Sequence, residues 1–410
     1  MKGQLEARLL TLVTLGLVAF GLVMVYSATS APAALGGGDP GYYLKKQGVY
    51  ALAGLVLMVV ASRMPYRALR DLAPTLVVVS LVLLLIVLVV GQAVNGARRW
   101  LTFGPAVFQP SELAKLALAV WVAAYLARKP APRTLGELAR PIGLLALVFS
   151  GLVLAQPDLG TAITMMVMLG GVLLVSGTPL AVLGLAGAMV TVAGMAAIWL
   201  EPYRRARLFS FLDPWHDAQG AGFQSVQALI GLGSGGPFGT GLGQGISKVF
   251  YLPEAHTDMI FAIIGEELGL LGTTAVIGAF AVFAYTGMRI ALRCKDPFGK
   301  RLAVALTTLV CGQAFINLAA VMGVAPLTGI PLPFVSYGGS SLVVLLAAVG
   351  VLLNIATDDG RERRASVPDR GRRDGRARPA RARSGGSARR KGAARDVRRV
   401  AGSRRSAARS

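Results

Sequence analysis

The sequence predicts an all-α integral membrane protein: ten transmembrane helices, N- and C-termini cytoplasmic, and a large outer-face loop between helices 7 and 8. Three observations carry this reading. Of 410 residues 54% are hydrophobic and only 15% charged, against roughly 25% charged in a soluble domain, and mean hydropathy is +0.61. Apolar runs recur from end to end, each of about 17–25 residues and so able to cross a hydrocarbon core of about 30 Å. Finally, Lys and Arg fall unevenly on alternate sides of those runs.

The first run, 9–27, ends without a clear small-residue cleavage site and is long enough to serve as an anchor rather than a removable leader. Further helices are predicted at 47–62, 73–91, 111–127, 141–156, 160–177, 179–200, 259–288, 302–322 and 338–356. Alternate assignment of the connections places 33 of the 42 Lys and Arg residues on the side of the termini and eight on the other, with Lys115 inside a helix. Without the C-terminal tail the split is still 14 against eight. Positive charge is retained in the cytoplasm, so both termini are assigned there.

The formal charge of +22 suggests nucleic-acid binding until it is located. From Asp358 to Ser410 there are 18 Arg, one Lys and six acids, a net +13 that leaves +9 for the rest of the chain. This tail has almost no large apolar residue and reads as a disordered cytoplasmic segment, a topology signal and a binder of anionic lipid. Residues 1–357 then form one membrane domain and 358–410 the tail; no nucleic-acid partner is expected. The two cysteines, Cys294 and Cys311, do not suggest a disulfide framework.

One connection is long: residues 201–258, on the predicted outer face, with Phe209, Phe211, Trp215, Phe223, Phe250 and Tyr251, and both histidines, His216 and His256. Such length in a loop points to function or disorder, and its apolar residues argue against disorder. It ends in Tyr251-Leu-Pro-Glu-Ala-His-Thr-Asp258, directly before the eighth helix. Asp258 has two readings. It could cap that helix, accepting main-chain N–H bonds at the positive dipole end. Or, with Glu254, His256 and Thr257 within one turn, it could act as general base for a sugar hydroxyl at the headgroup level.

Glu266 and Glu267 lie two turns into the same helix, where ionisable residues are functional suspects. In the fourth helix Ser111 reads as N-cap and Glu112–Lys115 as an i,i+3 pair that fixes packing. Arg98, Arg99 and Trp100, and the cluster Arg204, Arg205 and Arg207, suit lipid phosphate or pyrophosphate; Trp100, Trp199 and Trp215 are equally ordinary interface residues. Asp158 is read as a cap of the sixth helix. Between Gly231 and Gly245 eight of fifteen residues are glycine. This lacks the Lys-Ser/Thr ending of a nucleotide-binding loop; it is either a phosphate nest or a loop flattened against the membrane. Two histidines 40 residues apart do not make a metal shell, although acids beside an outer pyrophosphate leave room for a divalent ion, Mg or Mn.

Seven stretches together resemble the SEDS family (shape, elongation, division and sporulation): NGARRW at 95–100, FQPSELAKL at 108–116, QPDLGT at 156–161, FLDPWHD at 211–217, GAGFQSVQALIGLGSGG at 220–236, YLPEAHTDMIFAIIGEELGLLG at 251–272 and PLTGIPLPFVSYGGSS at 326–341. PEAHTD with FAIIGEELG, and LPFVSYGGSS, are more similar to the division branch than to the elongation branch. Met259 stands where the family has Phe. The resemblance implies a processive, inverting glycosyltransferase that polymerises lipid II outside the cytoplasmic membrane, at the division septum, without a nucleotide. It implies that Asp258 activates the acceptor hydroxyl and that Glu112 and Lys115 are the family's intramembrane pair. Arg98, Arg99, Arg204, Arg205, Arg207, Lys248, Glu254 and His256 are then the substrate-binding candidates. The implied partners are a class B penicillin-binding protein, the transpeptidase that cross-links the strands, and divisome proteins. A lipid II flippase, an elongation-type polymerase and a non-enzymatic scaffold are the alternatives.

Overall fold

The computed structural model describes residues 2–94, 97–104, 106–249 and 252–365. Twelve helices and a small sheet are found there, and ten of the helices are long and apolar enough to cross a membrane. They are α1 (Lys2–Leu35), α2 (Tyr42–Arg63), α3 (Arg67–Val90), α4 (Pro110–Arg128), α5 (Leu135–Ala155), α6 (Leu159–Ser176), α7 (Leu180–Leu200), α10 (Ile260–Arg293), α11 (Pro297–Val321) and α12 (Gly339–Ala365). All ten predicted spans are present. The longest are α1 and α10, which each run for 34 residues, about 51 Å of helix at 1.5 Å per residue, more than the hydrocarbon requires.

The bundle centre is built from α4, α11 and α12, which bury most of their residues, while α7 buries none and stands at the periphery. The sequences explain this order. In α4 and α11 small residues face neighbours on several sides, Ala114, Ala117, Ala119 and Ala123 in one and Ala303, Ala305 and Ala314 in the other, all essentially inaccessible. Small side chains let apolar helices approach closely, which is what drives packing in lipid.

The connection between α3 and α4, expected as plain loop, forms a three-stranded antiparallel sheet: β1 (Gln92–Val94), β2 (Ala97–Phe103) and β3 (Ala106–Phe108). Arg98 lies opposite Ala93 and Leu101 opposite Phe108. The long connection before α10 is folded, with helices α8 (Pro202–Leu212) and α9 (Phe223–Ser234). At the fourth span the expected cap is corrected: the helix begins at Pro110 with Gln109 as N-cap, and Ser111 lies inside the first turn with its hydroxyl buried and unpartnered. Helix α12 continues through Ala365, past the part long and apolar enough to cross the membrane, which ends at Asp358; residues 366–410, most of the expected tail, lie outside the described residues.

Helix α10 is broken at Gly269, where φ is 62° and ψ −155°, a combination open essentially to glycine alone. A break in a membrane helix frees main-chain groups that lipid cannot satisfy. Here the glycine-rich stretch satisfies them. Thr240 and Gly241 donate to the carbonyls of Glu266 and Glu267 at 2.9 and 3.0 Å, and Leu270 and Leu271 donate to Gly236 and Pro237 at 2.9 and 3.2 Å. The two backbones touch, which is why the stretch is glycine: a Cβ on Gly239 would lie 2.1 Å from the Glu267 carbonyl oxygen. The N–H groups of Gly239, Thr240 and Gly241 are engaged by protein carbonyls and so are not offered to a phosphate.

Candidate active site

The turn from Leu252 to Met259 is held at both ends. Leu252 donates to Ser247, Thr257 to the Glu254 carbonyl, and Tyr337 to the His256 carbonyl. The α10 N-cap residue is Met259, whose side chain makes no capping bond. Among the described residues, the side-chain hydrogen bond found at the Asp258 carboxylate comes from Thr257 and not from the first turn of α10. Its Oδ1 accepts from the Thr257 hydroxyl at 3.2 Å, and its main-chain carbonyl accepts from Asn317 Nδ2 at 2.7 Å.

Asp258 is 9% exposed. Burial disfavours its charged form and raises its pKa from the ordinary 3.8 to about 6; its own main-chain N–H, the Thr257 hydroxyl and Arg207 oppose the rise, and Glu254 adds to it. The Arg207 guanidinium and the carboxylate flank Gly329: a Cβ there would lie 3.9 Å from Asp258 Oδ2 and 4.0 Å from Arg207 Nη1. Gly329 has a φ of 70°, so the absent side chain and the turn it permits both keep this space open. A carboxylate tuned near neutrality beside a cation and an open approach is the arrangement a general base requires.

The other candidates separate by what they touch. Glu254 is exposed, at a φ of 53° that is unusual for a residue with a side chain. His256 packs between Tyr43 and Tyr337, with ring centroids 4.6 and 5.4 Å away, and burial lowers its pKa, keeping the imidazole neutral. Arg207 also donates to the Leu327 carbonyl at 3.4 Å. Arg99 donates to the carbonyls of Gln156 and Pro157, and Arg204 to those of Ala197 and Leu154, so both brace the ends of neighbouring elements. Arg98 is exposed and reaches the Val89 carbonyl, and Arg205 lies over the Trp199 ring.

Lys248 is a correction. Expected to meet substrate, it is 4% exposed and pairs with Glu267 at 2.6 Å, with the Ser27 hydroxyl completing the cluster. Glu266 accepts from the main chain of Ile246 at 2.7 Å and of Ser247 at 3.2 Å. The twin glutamates thus anchor the glycine-rich stretch to α10. Asp158 caps α6 as expected, accepting from Thr161 N at 3.0 Å.

The Glu112–Lys115 pair is present at 2.9 Å, both residues buried. Lys115 also donates to Gln313 Oε1 at 2.8 Å, and Gln313 Nε2 to the Pro331 carbonyl at 3.0 Å. Sequence reasoning did not single out Gln313 or Asn317. The available signal was two carboxamides one turn apart in an otherwise apolar span. Among the described residues no three His, Cys, Asp or Glu side chains cluster as metal ligands.

Comparisons with known proteins agree on one neighbourhood. A family model described as "Cell cycle protein" (FTSW_RODA_SPOVE) matches residues 7–360. The chain is 42% identical over 355 residues to a Geobacter metallireducens protein named probable peptidoglycan glycosyltransferase FtsW, covering 84% of this chain and 93% of that one. A Halomonas elongata protein of the same name is 42% identical over 366 residues, covering 88% and 92%. Among solved structures, a chain from work on "structural coordination of polymerization and crosslinking by a peptidoglycan synthase complex" superposes with a TM-score of 0.72 at 32% identity, covering 85% of this chain and 97% of that one. The crystal structure of Thermus thermophilus rod shape determining protein RodA superposes with a TM-score of 0.64 at 32% identity, covering 85% and 96%.

Proposed function

As a member of the FtsW, RodA and SpoVE family of cell cycle proteins, the chain is a multi-pass membrane peptidoglycan glycosyltransferase, and we propose that it polymerises lipid II with Asp258 as its general base. The observation that carries the assignment is the buried carboxylate with its raised pKa beside Arg207 and the open face of Gly329. The charge distribution supports placing this turn on the outer face of the cytoplasmic membrane, with both termini inside.

In the proposed step the acceptor GlcNAc 4-hydroxyl attacks C1 of the donor MurNAc. The hydroxyl proton passes to the Asp258 carboxylate as the new C1–O bond forms. The old C1–O bond breaks, and its electron pair leaves on undecaprenyl pyrophosphate, inverting C1. The activated lipid supplies the free energy, so no nucleotide enters. Negative charge grows on the leaving group, and Arg207 is the cation placed beside the base to offset it. A divalent ion that assists would be held by the donor's own pyrophosphate and would supply further positive charge to the leaving group.

Relatives 42% identical carry the FtsW name, which favours septal synthesis with divisome proteins over elongation. The likeness to a chain of a peptidoglycan synthase complex supports work beside a class B penicillin-binding protein. The test is gel analysis of glycan strands made from lipid II by the purified protein, with and without its cognate transpeptidase. Ladders that require an intact Asp258 are expected; no strands under either condition would overturn the reading.

A further inference from the structure

We propose that Asn317 is a positioning residue for Asp258, tying the base's main chain to the 326–336 segment, and that the Glu112–Lys115 pair serves the same end through Gln313. The inference rests on the reading of Asp258 as base.

Among the described residues the Asp258 carboxylate takes its side-chain hydrogen bond from the neighbouring Thr257 and not from α10, so its position depends on what holds residue 258 itself. That hold is Asn317, whose Nδ2 donates to the carbonyls of both Asp258 and Ile330, at 2.7 and 2.8 Å. One amide thus joins the turn carrying the base to the segment that passes beside it at Gly329. Turning the amide over would set its oxygen against two carbonyl oxygens, so its orientation is fixed. Its own Oδ1 is buried without a protein donor, a cost of the kind retained where a residue's other end is needed.

The 330–333 stretch reads Ile-Pro-Leu-Pro. Its two prolines lack N–H groups and cannot enter a ladder, so its carbonyls must find donors elsewhere. Two carboxamides one turn apart on α11 supply them: Asn317 takes Ile330 and Gln313 takes Pro331. Gln313 is oriented by Lys115, which donates to its oxygen, and Glu112 neutralises Lys115. The intramembrane charge pair therefore fixes the polarity of a neutral amide, and that amide fixes the backbone against which the base is set.

The experiment uses full-length protein in detergent with lipid II, and reads kcat, KM and the pH–rate profile on the monodisperse fraction. Leucine is close to asparagine in size and at home in this span. Asn317→Leu should lower kcat by roughly 30- to 100-fold, the scale of a misplaced catalytic group, with KM within about threefold. The acidic limb of the profile should also move, because Asp258 shifts relative to the Arg207 and Glu254 charges that face it. Gln313→Leu and Lys115→Met should act in the same direction, by about 5- to 10-fold. In an Asp258→Asn background, adding Asn317→Leu should change the residual rate less than about twofold, since the residue acts through the base.

A monodisperse Asn317→Leu variant with kcat within threefold and an unmoved limb would overturn the proposal. So would equal losses in both backgrounds. Should Asn317→Leu not fold, a wild-type kcat in Gln313→Leu would do the same. An inactive Asp258→Asn variant beside a normal Asn317→Leu removes the positioning role alone, whereas a fully active Asp258→Asn variant removes the base as well.

Discussion

Replacing Asp258 with asparagine should stabilise the protein while abolishing its activity. The carboxylate is buried, and its pKa is raised from 3.8 to about 6. A gap of that size corresponds to about 3 kcal/mol at 1.36 kcal/mol per unit. The sign follows from linkage: the folded chain holds this proton more tightly than the unfolded chain. The contribution is therefore fully present below the unfolded value, and it is lost as pH rises through the folded value of about 6. Asparagine keeps the size and carries no charge, so Asp258→Asn should match wild type near pH 4 and exceed it by up to about 3 kcal/mol at pH 7.5. Had the carboxylate capped α10, the same substitution would give no gain: asparagine caps about as well as aspartate, and the lost charge–dipole attraction would cost up to about 1 kcal/mol. Thermal unfolding in detergent across pH 4–8 separates the two signs. Strand synthesis on the same preparations should fall by roughly 10²–10⁴-fold, while the wild-type rate should rise with pH to a plateau above about 6. A variant that is less stable by a pH-independent amount, or that polymerises at a near-normal rate, would refute the reasoning.

Three further outcomes are expected. Gly269→Ala forces a side chain into a glycine-only conformation and places its Cβ 2.4 Å from the Gly239 nitrogen; destabilisation of about 3 kcal/mol or more should appear as loss of the monodisperse peak. Lys248→Met strands the buried Glu267 carboxylate and should cost about 3–5 kcal/mol, much of it recovered by adding Glu267→Gln, with the KM for lipid II unchanged in the double variant; a raised KM at preserved stability would return Lys248 to the substrate site. A thiol placed at the exposed Ser234, in a chain with Cys294 and Cys311 replaced, should react with an impermeant reagent in intact cells. Labelling only after lysis would reverse the proposed sidedness.

The spans were legible because each is a long apolar run, a property a sequence states residue by residue. Asp258 stood out as a candidate by its place after an apolar connection and before a span, with cap and base both open until the family resemblance favoured the base. The roles of Lys248, Glu266 and Glu267 were not, because their partners lie about 20 to 240 positions away: Lys248 with Glu267, Glu266 with Ile246, Glu267 with Ser27. A charge on the outer side reads as available until the fold brings its counter-charge. Asn317 escaped notice for the same reason, its acceptors being main-chain carbonyls that every residue possesses. The β1–β3 sheet was missed because a short hairpin at the membrane surface carries little period-two pattern between β1 and β3.

The break in α10 also bears on how the protein is assembled. A membrane helix ordinarily closes its own hydrogen bonds and can enter lipid as a finished rod. This one cannot, since the peptide groups around Gly269 lie about nine residues, or some 14 Å, below its start, and their partners belong to the 236–241 stretch. That stretch is synthesised first, so its backbone is waiting when the helix emerges. Insertion of the eighth span and docking of the preceding connection are thereby one event. A fragment that separates them, or a binder that seizes the connection early, leaves bare amides in hydrocarbon, at a cost of several kcal/mol each.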